Sequence, residues 1–471
     1  MTQDTAFMSL LQSLFSLLAK YRTLFSQGRL FHRLTALVLA ELFSFGRHTL
    51  TQNLLALGLV QDDWSAWYRL FSRRRFDPLK AATITLLEIL QHVPPDQPLV
   101  LAVDPVWVPR HSHKMPGTSW MKAPYTAPFQ PGLQRGQRFL GLYWLVPLED
   151  GCSRAIPLIW WPAFPQNARP SPYPPCKSWE AAIESLRWIR QKLDEAGRYE
   201  QEILVIADGE MDKAEFWRNL PERTTALVGT ARNRVLYELP AREKQGRGRP
   251  RKYGASAPKP HEVLLRKKGW LKFRMRIRGK MRTLRCRVEG PFLRSRVPGQ
   301  PMFLLVVKGR AIKQGKRTHR RRPTFLLVPA KQQDGKWVLP FPLKELLLWA
   351  WQRWEVEVAH REMKSGLGLG EKQCWSAEGA VVSVQWSAWL YGVLVLAAYR
   401  VWGVCGGPKR VERWWRGSWR WSLGTMWRTY RMELWGREEF RALWVGTRAD
   451  WGKKEVVVAG MWNAVLGSAR I

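Results

Sequence analysis

The spacing of apolar residues changes character several times along the chain. Through residues 1–95 they recur every three to four positions: Phe7, Leu10, Leu11, Leu14, Leu17 and Leu18, then LFHRLTALVLAELFSF and DPLKAATITLLEILQH. That is the period of amphipathic helices, and it predicts a helical N-terminal domain. Between the last two segments, HTLTQNLLALGLVQDDWSAWYRLFSRRRF divides into two short helical patterns near Gly58–Asp63. The division is compatible with a helix-turn-helix-like DNA-binding unit, with Arg73–Arg75 available to phosphates. It is equally compatible with an ordinary helical domain that has a basic corner.

From Pro98 the pattern shifts to continuous apolar runs. LVLAVD (99–104) and ILVIAD (203–208) each end in an acid and read as buried strands. FLGLYWLVPL (139–148), AIPLIWW (155–161) and TALVGTA (225–231) add three more. SWEAAIESLRWIRQKLDEAG is a helix with Ser178 as candidate N-cap and Glu180 in its first turn, and DKAEFWRNL is a shorter one. Strands and helices in this order predict an α/β core over 96–231. Helical spacing returns from Phe341 to Gly366 and continues into the uncharged run Ala380–Tyr399, so 341–402 is expected to rejoin that core. The run is long enough to cross a bilayer. It stands alone, however, and contains Ser383, Gln385 and Ser387, with Arg400 and a basic tail after it. A buried core helix is the expectation, with no membrane.

Residues 232–340 have period two. In FRMRIRGKMRTLRCRV, Phe273, Met275 and Ile277 alternate with Arg274, Arg276 and Arg278; beyond a turn near Gly279, Leu284, Cys286 and Val288 alternate with Arg285 and Arg287. This predicts a β-hairpin with one apolar face and one arginine face. Further strands, MFLLVVKG and TFLLVP, bracket the basic loop RAIKQGKRTHRRRP, and the stretch opens with the Gly/Pro/Arg-rich linker QGRGRPRKYGASAPKP. A basic, β-rich, nucleic-acid-binding insertion is expected here, with Arg274, Arg276, Arg278, Arg285 and Arg287 meeting DNA phosphates. The tail, 403–471, is crowded with Trp and Arg; base stacking and a poorly selected extension are both open, the second slightly favoured.

Charge sharpens this picture. The chain of 471 residues has a net charge of +38, and 46% of it is hydrophobic, which excludes a disordered polycation. By count, 232–322 holds 30 Lys+Arg and 4 Asp+Glu, so most of the excess is concentrated there. A folded protein this basic implies a polyanion, nucleic acid first. Its five cysteines are scattered singly, without zinc-ligand or disulfide spacing. They fit a reducing cytosol, and Asp4 stands where a signal peptide would be basic.

Three acids stand out by position: Asp104, Asp208, and Glu357 on the helix beginning near Phe341. Two carboxylates at the ends of neighbouring parallel strands, completed by one on a packed helix, would suit Mg²⁺, a hard cation with oxygen ligands. Arg353, Glu357 and Lys364 share one helix face at 100° per residue. A surface salt bridge is the plain alternative for such a triplet. Other candidates are weaker: His111 and His113 read as a solvated loop, Trp270 as a core residue before a strand rather than a base-stacking one, and Glu210 and Asp212 as the start of the next helix.

The segment WQRWEVEVAHREMKSGLGLGEKQCWS closely resembles the catalytic helix of bacterial insertion-sequence transposases of the DDE class, whose signature is Y-x2-R-x3-E-x6-K. Here it reads Ala350-x2-Arg353-x3-Glu357-x6-Lys364, with alanine in place of the tyrosine. The resemblance extends back to Asp208 in VIADGE and Asp104 in LAVDPV. It implies an RNase H-like mixed sheet with flanking helices, interrupted by the insertion. It also implies that Asp104, Asp208 and Glu357 are catalytic and bind two Mg²⁺ ions, for which Mn²⁺ can substitute, and that Arg353 and Lys364 contact DNA phosphates. The expected activity is cleavage of transposon ends and joining of 3′-hydroxyls to target DNA, by a homodimer on double-stranded DNA in the bacterial cytoplasm. The alternatives are a catalytically silent DNA-binding relative and a basic structural nucleic-acid-binding protein.

Overall fold

A computed structural model describes residues 8–44, 46–122, 132–240, 251–309, 311–314, 317–320, 322–372, 374–408 and 420–435. The linker, the basic loop and the tail of the sequence reading therefore lie partly outside the described residues.

The N-terminal pattern forms helices α1 (Leu10–Lys20), α2 (Gly28–Phe43), α3 (Leu50–Ala56), α4 (Ser65–Ser72) and α5 (Pro78–Leu90). Local sequence sets their starts. Ser9 and Gln12 close a capping box on α1, Thr49 caps α3, and Asp77 caps α5, with Pro78 at the first helical position.

The sheet is built around β1 (Leu99–Pro109) and β3 (Leu133–Leu145), which pair antiparallel. Beyond β3 lie β2 (Thr118–Lys122) and β4 (Ala155–Pro162), on successive halves of its far edge. On the other side of β1, β5 (Ile203–Ala207) and β6 (Thr224–Gly229) run parallel to it. Helix α6 (Ser178–Glu195) crosses between β4 and β5, and α7 (Ala214–Arg218) between β5 and β6. Lys177, not Ser178, is the N-cap of α6, its N–H donating to Glu180. This is the mixed α/β sheet that the sequence reading expects.

The stretch 232–340 is not separate from that sheet. It supplies β7 (Leu236–Tyr237), α8 (Pro260–Leu265), β8 (Leu271–Ile277), β9 (Lys280–Arg294), β10 (Val297–Val307), β11 (Ala311–Gln314), β12 (Arg317–Arg320), β13 (Thr324–Pro329), β14 (Lys331–Gln333) and β15 (Lys336–Val338). β13 pairs with β6 and carries β10, β9 and β7 outward, so the sheet continues from the core into the insertion. The apolar runs of β10 and β13 are buried as core strands are.

The chain returns through α9 (Leu343–Gln352), α10 (Trp354–Gly366) and α11 (Gly379–Trp402). The single helix expected from Phe341 to Gly366 is interrupted at Arg353, which ends α9 and begins α10. α11 is almost wholly buried, packed on β4 and enclosed by α1, α4 and α5. It is the helix around which the N-terminal ones assemble, as its even apolar composition demands.

The tail contributes α12 (Leu423–Trp435), and over residues 420–435 it packs on the rest of the protein. Trp421, Met426, Tyr430 and Leu434 are buried. Glu433 accepts from the backbone N–H groups of Leu10 (3.1 Å) and Leu11 (2.7 Å), placing a carboxylate on the positive end of α1. A buried ionic network ties the turn after α10 to the N-terminal layer. Lys372 donates to Glu41 (2.6 Å) and to the His48 carbonyl (2.9 Å), while Asn53 donates to Glu41 (2.7 Å). Burial opposes charge on Glu41, but Lys372 and His48 outweigh it and hold the carboxyl down at about 2.

Candidate active site

β1 and β5 run in parallel register to the pair Val103–Ala207. The next residue on each strand is an acid, Asp104 and Asp208, so register alone makes these two carboxylates neighbours. β5 stops there: Asp208 caps a single 3-10 turn (Gly209–Met211), accepting from the Glu210 N–H at 2.9 Å. β1 does not stop. It continues along β3 to Pro109, so Asp104 lies within a strand and not at its end.

The third acid arrives on α10. Arg353 donates to Glu357 at 2.7 Å and lies 3.6 Å from Asp104, so one guanidinium bridges the strand acid and the helix acid. Asp104 is largely buried, and burial pushes its carboxyl up to about 7. Asp208, Glu357 and Glu210 push the same way, and Arg353 pulls against them. The cluster therefore holds more negative charge than its own arginine neutralises. Among the described residues, no three acidic, histidine or cysteine side chains are already gathered at ligand spacing. The all-oxygen donor set and the excess negative charge nevertheless fit a hard divalent cation.

Two residues missed in the sequence lie beneath Asp104. His360 is largely but not fully buried, with Nδ1 3.7 Å from Asp104 and Nε2 hydrogen-bonded to the Tyr143 hydroxyl. Burial, then Lys364 and Arg353, push the imidazole down to about 3, so it is neutral. The only sequence signal was a histidine three residues after Glu357, which reads like any core histidine.

Lys364 is exposed two turns beyond Glu357 and makes no ion pair among the described residues. Glu355, also missed, is buried between Arg278 (2.9 Å) and Arg420, which join it from the insertion and from the tail.

The arginine hairpin forms in register, Lys272 opposite Arg285 and Arg274 opposite Thr283. Arg274, Arg276, Arg285 and Arg287 share one face, while Met275, Ile277, Leu284 and Cys286 are buried on the other. Arg276 is ion-paired to Asp150, and Arg287 to Glu289. Arg278 departs from the expected face. With Gly279 it forms the two-residue turn, both at positive φ, and its guanidinium is committed to Glu355. His113 meets the Trp120 ring, while Trp270 packs partly buried against the core and lies under the Lys308 ammonium. Asp212 is buried and receives Arg294 (2.7 Å), Arg234 (2.6 Å) and Thr230 (2.6 Å), a structural anchor rather than a helix-start residue.

A family model described as DDE superfamily endonuclease matches residues 23–288, more than half of the chain. The match contains Asp104 and Asp208 and ends before Glu357. Among solved structures, a cryo-EM structure of a piggyBac transposase synaptic complex with hairpin DNA aligns with a TM-score of 0.40 at 12% identity, over 98% of this chain and 86% of that one. No curated protein matches.

Proposed function

The chain belongs to the DDE superfamily of endonucleases, and from that premise we propose that it is a DNA transposase that cuts the ends of its element and joins them to new DNA. Asp104, Asp208 and Glu357 are the catalytic carboxylates. The observation that carries this reading is the parallel register that sets Asp104, within β1, beside Asp208, just past the end of β5, with Arg353 bridging Asp104 to Glu357.

The three carboxylates would hold divalent cations, Mg²⁺ or Mn²⁺. When bound, these stabilise charge on the phosphate and leaving oxygens and activate the attacking hydroxyl. In the first reaction water attacks phosphorus, the P–O3′ bond breaks, and the leaving oxygen takes up a proton to give a 3′-hydroxyl beside a 5′-phosphate. In the second, that 3′-hydroxyl attacks a phosphodiester of the target, whose own 3′-oxygen leaves. Arg353 holds the carboxylates together and is within reach of the same phosphate. Lys364 clamps the backbone beyond it, Tyr143 and His360 support Asp104 from below, and the hairpin face of Arg274, Arg276, Arg285 and Arg287 follows the duplex. Two ends must be held at once, so the working form is a homodimer on double-stranded DNA.

The test is a duplex carrying the element's terminal sequence, incubated with the protein, Mg²⁺ and a plasmid target. Recovery of end fragments covalently joined to plasmid through their 3′ ends is expected. DNA binding without any cut or joined product would leave only a silent relative.

A further inference from the structure

The arginine hairpin does not end in solvent. Its tip is seated on the turn between β3 and β4. The Arg278 N–H donates to the Gly151 carbonyl at 2.9 Å and the Gly279 N–H to the Asp150 carbonyl at 3.3 Å, while the Arg276 side chain is ion-paired to Asp150. The seat is close enough to require glycine: a Cβ on Gly151, itself at φ +68°, would collide with the Arg276 carbonyl. The Gly151 carbonyl accepts a second hydrogen bond, at 3.0 Å, from Gln352, a fully buried side chain at the end of α9.

From this seat Arg278 reaches α10. Its guanidinium donates to one oxygen of Glu355 at 2.9 Å. Arg420 of the tail donates to the other oxygen and also to the Ser153 carbonyl at 2.9 Å. Glu355 is 2% exposed, so its charge depends on these two partners. At 100° per residue, Glu355 and Glu357 lie about 200° apart around α10. One faces the hairpin tip and the tail; the other faces Asp104. The helix is interrupted at Arg353, so α9 alone does not fix the rotation of α10. Glu355 fixes it from the side opposite the carboxylates. A buried ion pair is weak evidence for stability, because apolar residues of similar size often serve as well; setting a register is its best-attested use.

We propose that Arg278 and Glu355 are positioning residues for strand cleavage. The seated hairpin tip holds α10 through Glu355 and so sets Glu357 against Asp104, which places the hairpin's arginine face and the carboxylates in one register. This assignment rests on the reading of Asp104, Asp208 and Glu357 as the catalytic set. It gives Arg278 a task different from that of the arginines on the hairpin face.

The test uses the full chain, its terminal duplex and the variant Arg278→Asn. Asparagine tolerates positive φ and Asn-Gly is a favoured two-residue hairpin turn, so the variant keeps the tip and loses the guanidinium. Single-turnover nicking at saturating duplex is expected to fall about tenfold or more, since a misplacement of about 1 Å can cost about a hundredfold. Duplex affinity and its salt slope should stay within about twofold of the parent, because no phosphate contact is lost. The rise in melting temperature on adding Mg²⁺ should shrink, because a displaced Glu357 weakens cation binding to the folded state. Arg278→Lys should recover most of the rate. Glu355→Gln should reproduce the defect, and adding Arg278→Asn to it should cost no more than about twofold further, because the two residues act as one unit. Parental nicking in Arg278→Asn would overturn the proposal and leave the catalytic reading intact. So would a parallel loss of duplex affinity with a lower salt slope, which would make Arg278 a phosphate contact. A slower variant with an undiminished response to Mg²⁺, or additive losses in the double variant, would also overturn it. If the parent itself does not nick in Mg²⁺, the catalytic reading has failed, and this assignment with it.

Discussion

Lys364 separates two physical readings of a single side chain. It is two turns from Glu357 and has no ion partner among the described residues, so a purely solvating role makes Lys364→Ala silent. As a phosphate clamp it contributes positioning in the transition state. We expect Lys364→Ala to slow single-turnover nicking about tenfold, roughly 1.4 kcal/mol, without moving the melting temperature. Normal nicking in this variant would remove Lys364 from the site. Glu41 gives a test of a different kind. Its carboxyl is held at about 2 against an ordinary 4.5. A depressed folded value means that the stabilisation is complete above about pH 4.5 and lost as pH falls toward 2, on the order of 3 kcal/mol in all. Melting temperature should therefore fall more steeply with acidification in the parent than in Glu41→Gln, and parallel curves would show that the network does not depend on that charge. Asp104 and Asp208 were legible in the sequence because strands buried on both faces leave an uninterrupted apolar run that an acid conspicuously ends. His360 and Tyr143 were not, since their hydrogen bond joins residues from α10 and β3, which no local period connects.

At the scale of elements, period two in the insertion correctly anticipated which arginines share a face, because alternation along a strand is a geometric necessity. It failed at Arg278, where the chain turns: a two-residue hairpin with positive φ redirects the side chain to Glu355. The two kinds of arginine should therefore separate by experiment. Replacing Arg274, Arg276 and Arg285 with Gln is expected to weaken duplex binding across sequences and to lower the log–log salt slope by about 0.9 for each phosphate that is no longer neutralised. An unchanged slope would show that this face does not meet DNA. The break at Arg353 was equally invisible to helical spacing, since both α9 and α10 keep the same period across it. Its consequence is geometric: the residue that caps α10 is the one that reaches both Asp104 and Glu357.

The whole molecule is more continuous than its sequence segments suggest. Composition divides the chain into a helical start, a core, a basic insertion and a Trp/Arg tail. Packing joins them: β13 attaches to β6, the N-terminal helices wrap α11, and α12 returns to cap α1. The tail reads as a poorly selected extension because Trp, Arg and Gly are what GC-rich codons give, whereas Trp421 lies against the buried Arg154 at 3.5 Å and Trp427 donates to the Leu42 carbonyl at 3.2 Å. Truncation after Pro408 should therefore lower the melting temperature markedly or abolish soluble protein; an unchanged melt would contradict the packing of α12.

The carboxylate cluster is the centre of the account, and one comparison tests it most directly: Mg²⁺-dependent nicking of duplex DNA by the parent and by Asp104→Asn, with DNA affinity measured on the same preparations. Asparagine keeps the size of the side chain while removing a cation ligand and a negative charge from the cluster. The account predicts nicking in the parent that disappears on chelation, no detectable nicking in Asp104→Asn, and DNA affinity in the variant that is equal or tighter. Cleavage by Asp104→Asn at the parental rate in Mg²⁺ would contradict it.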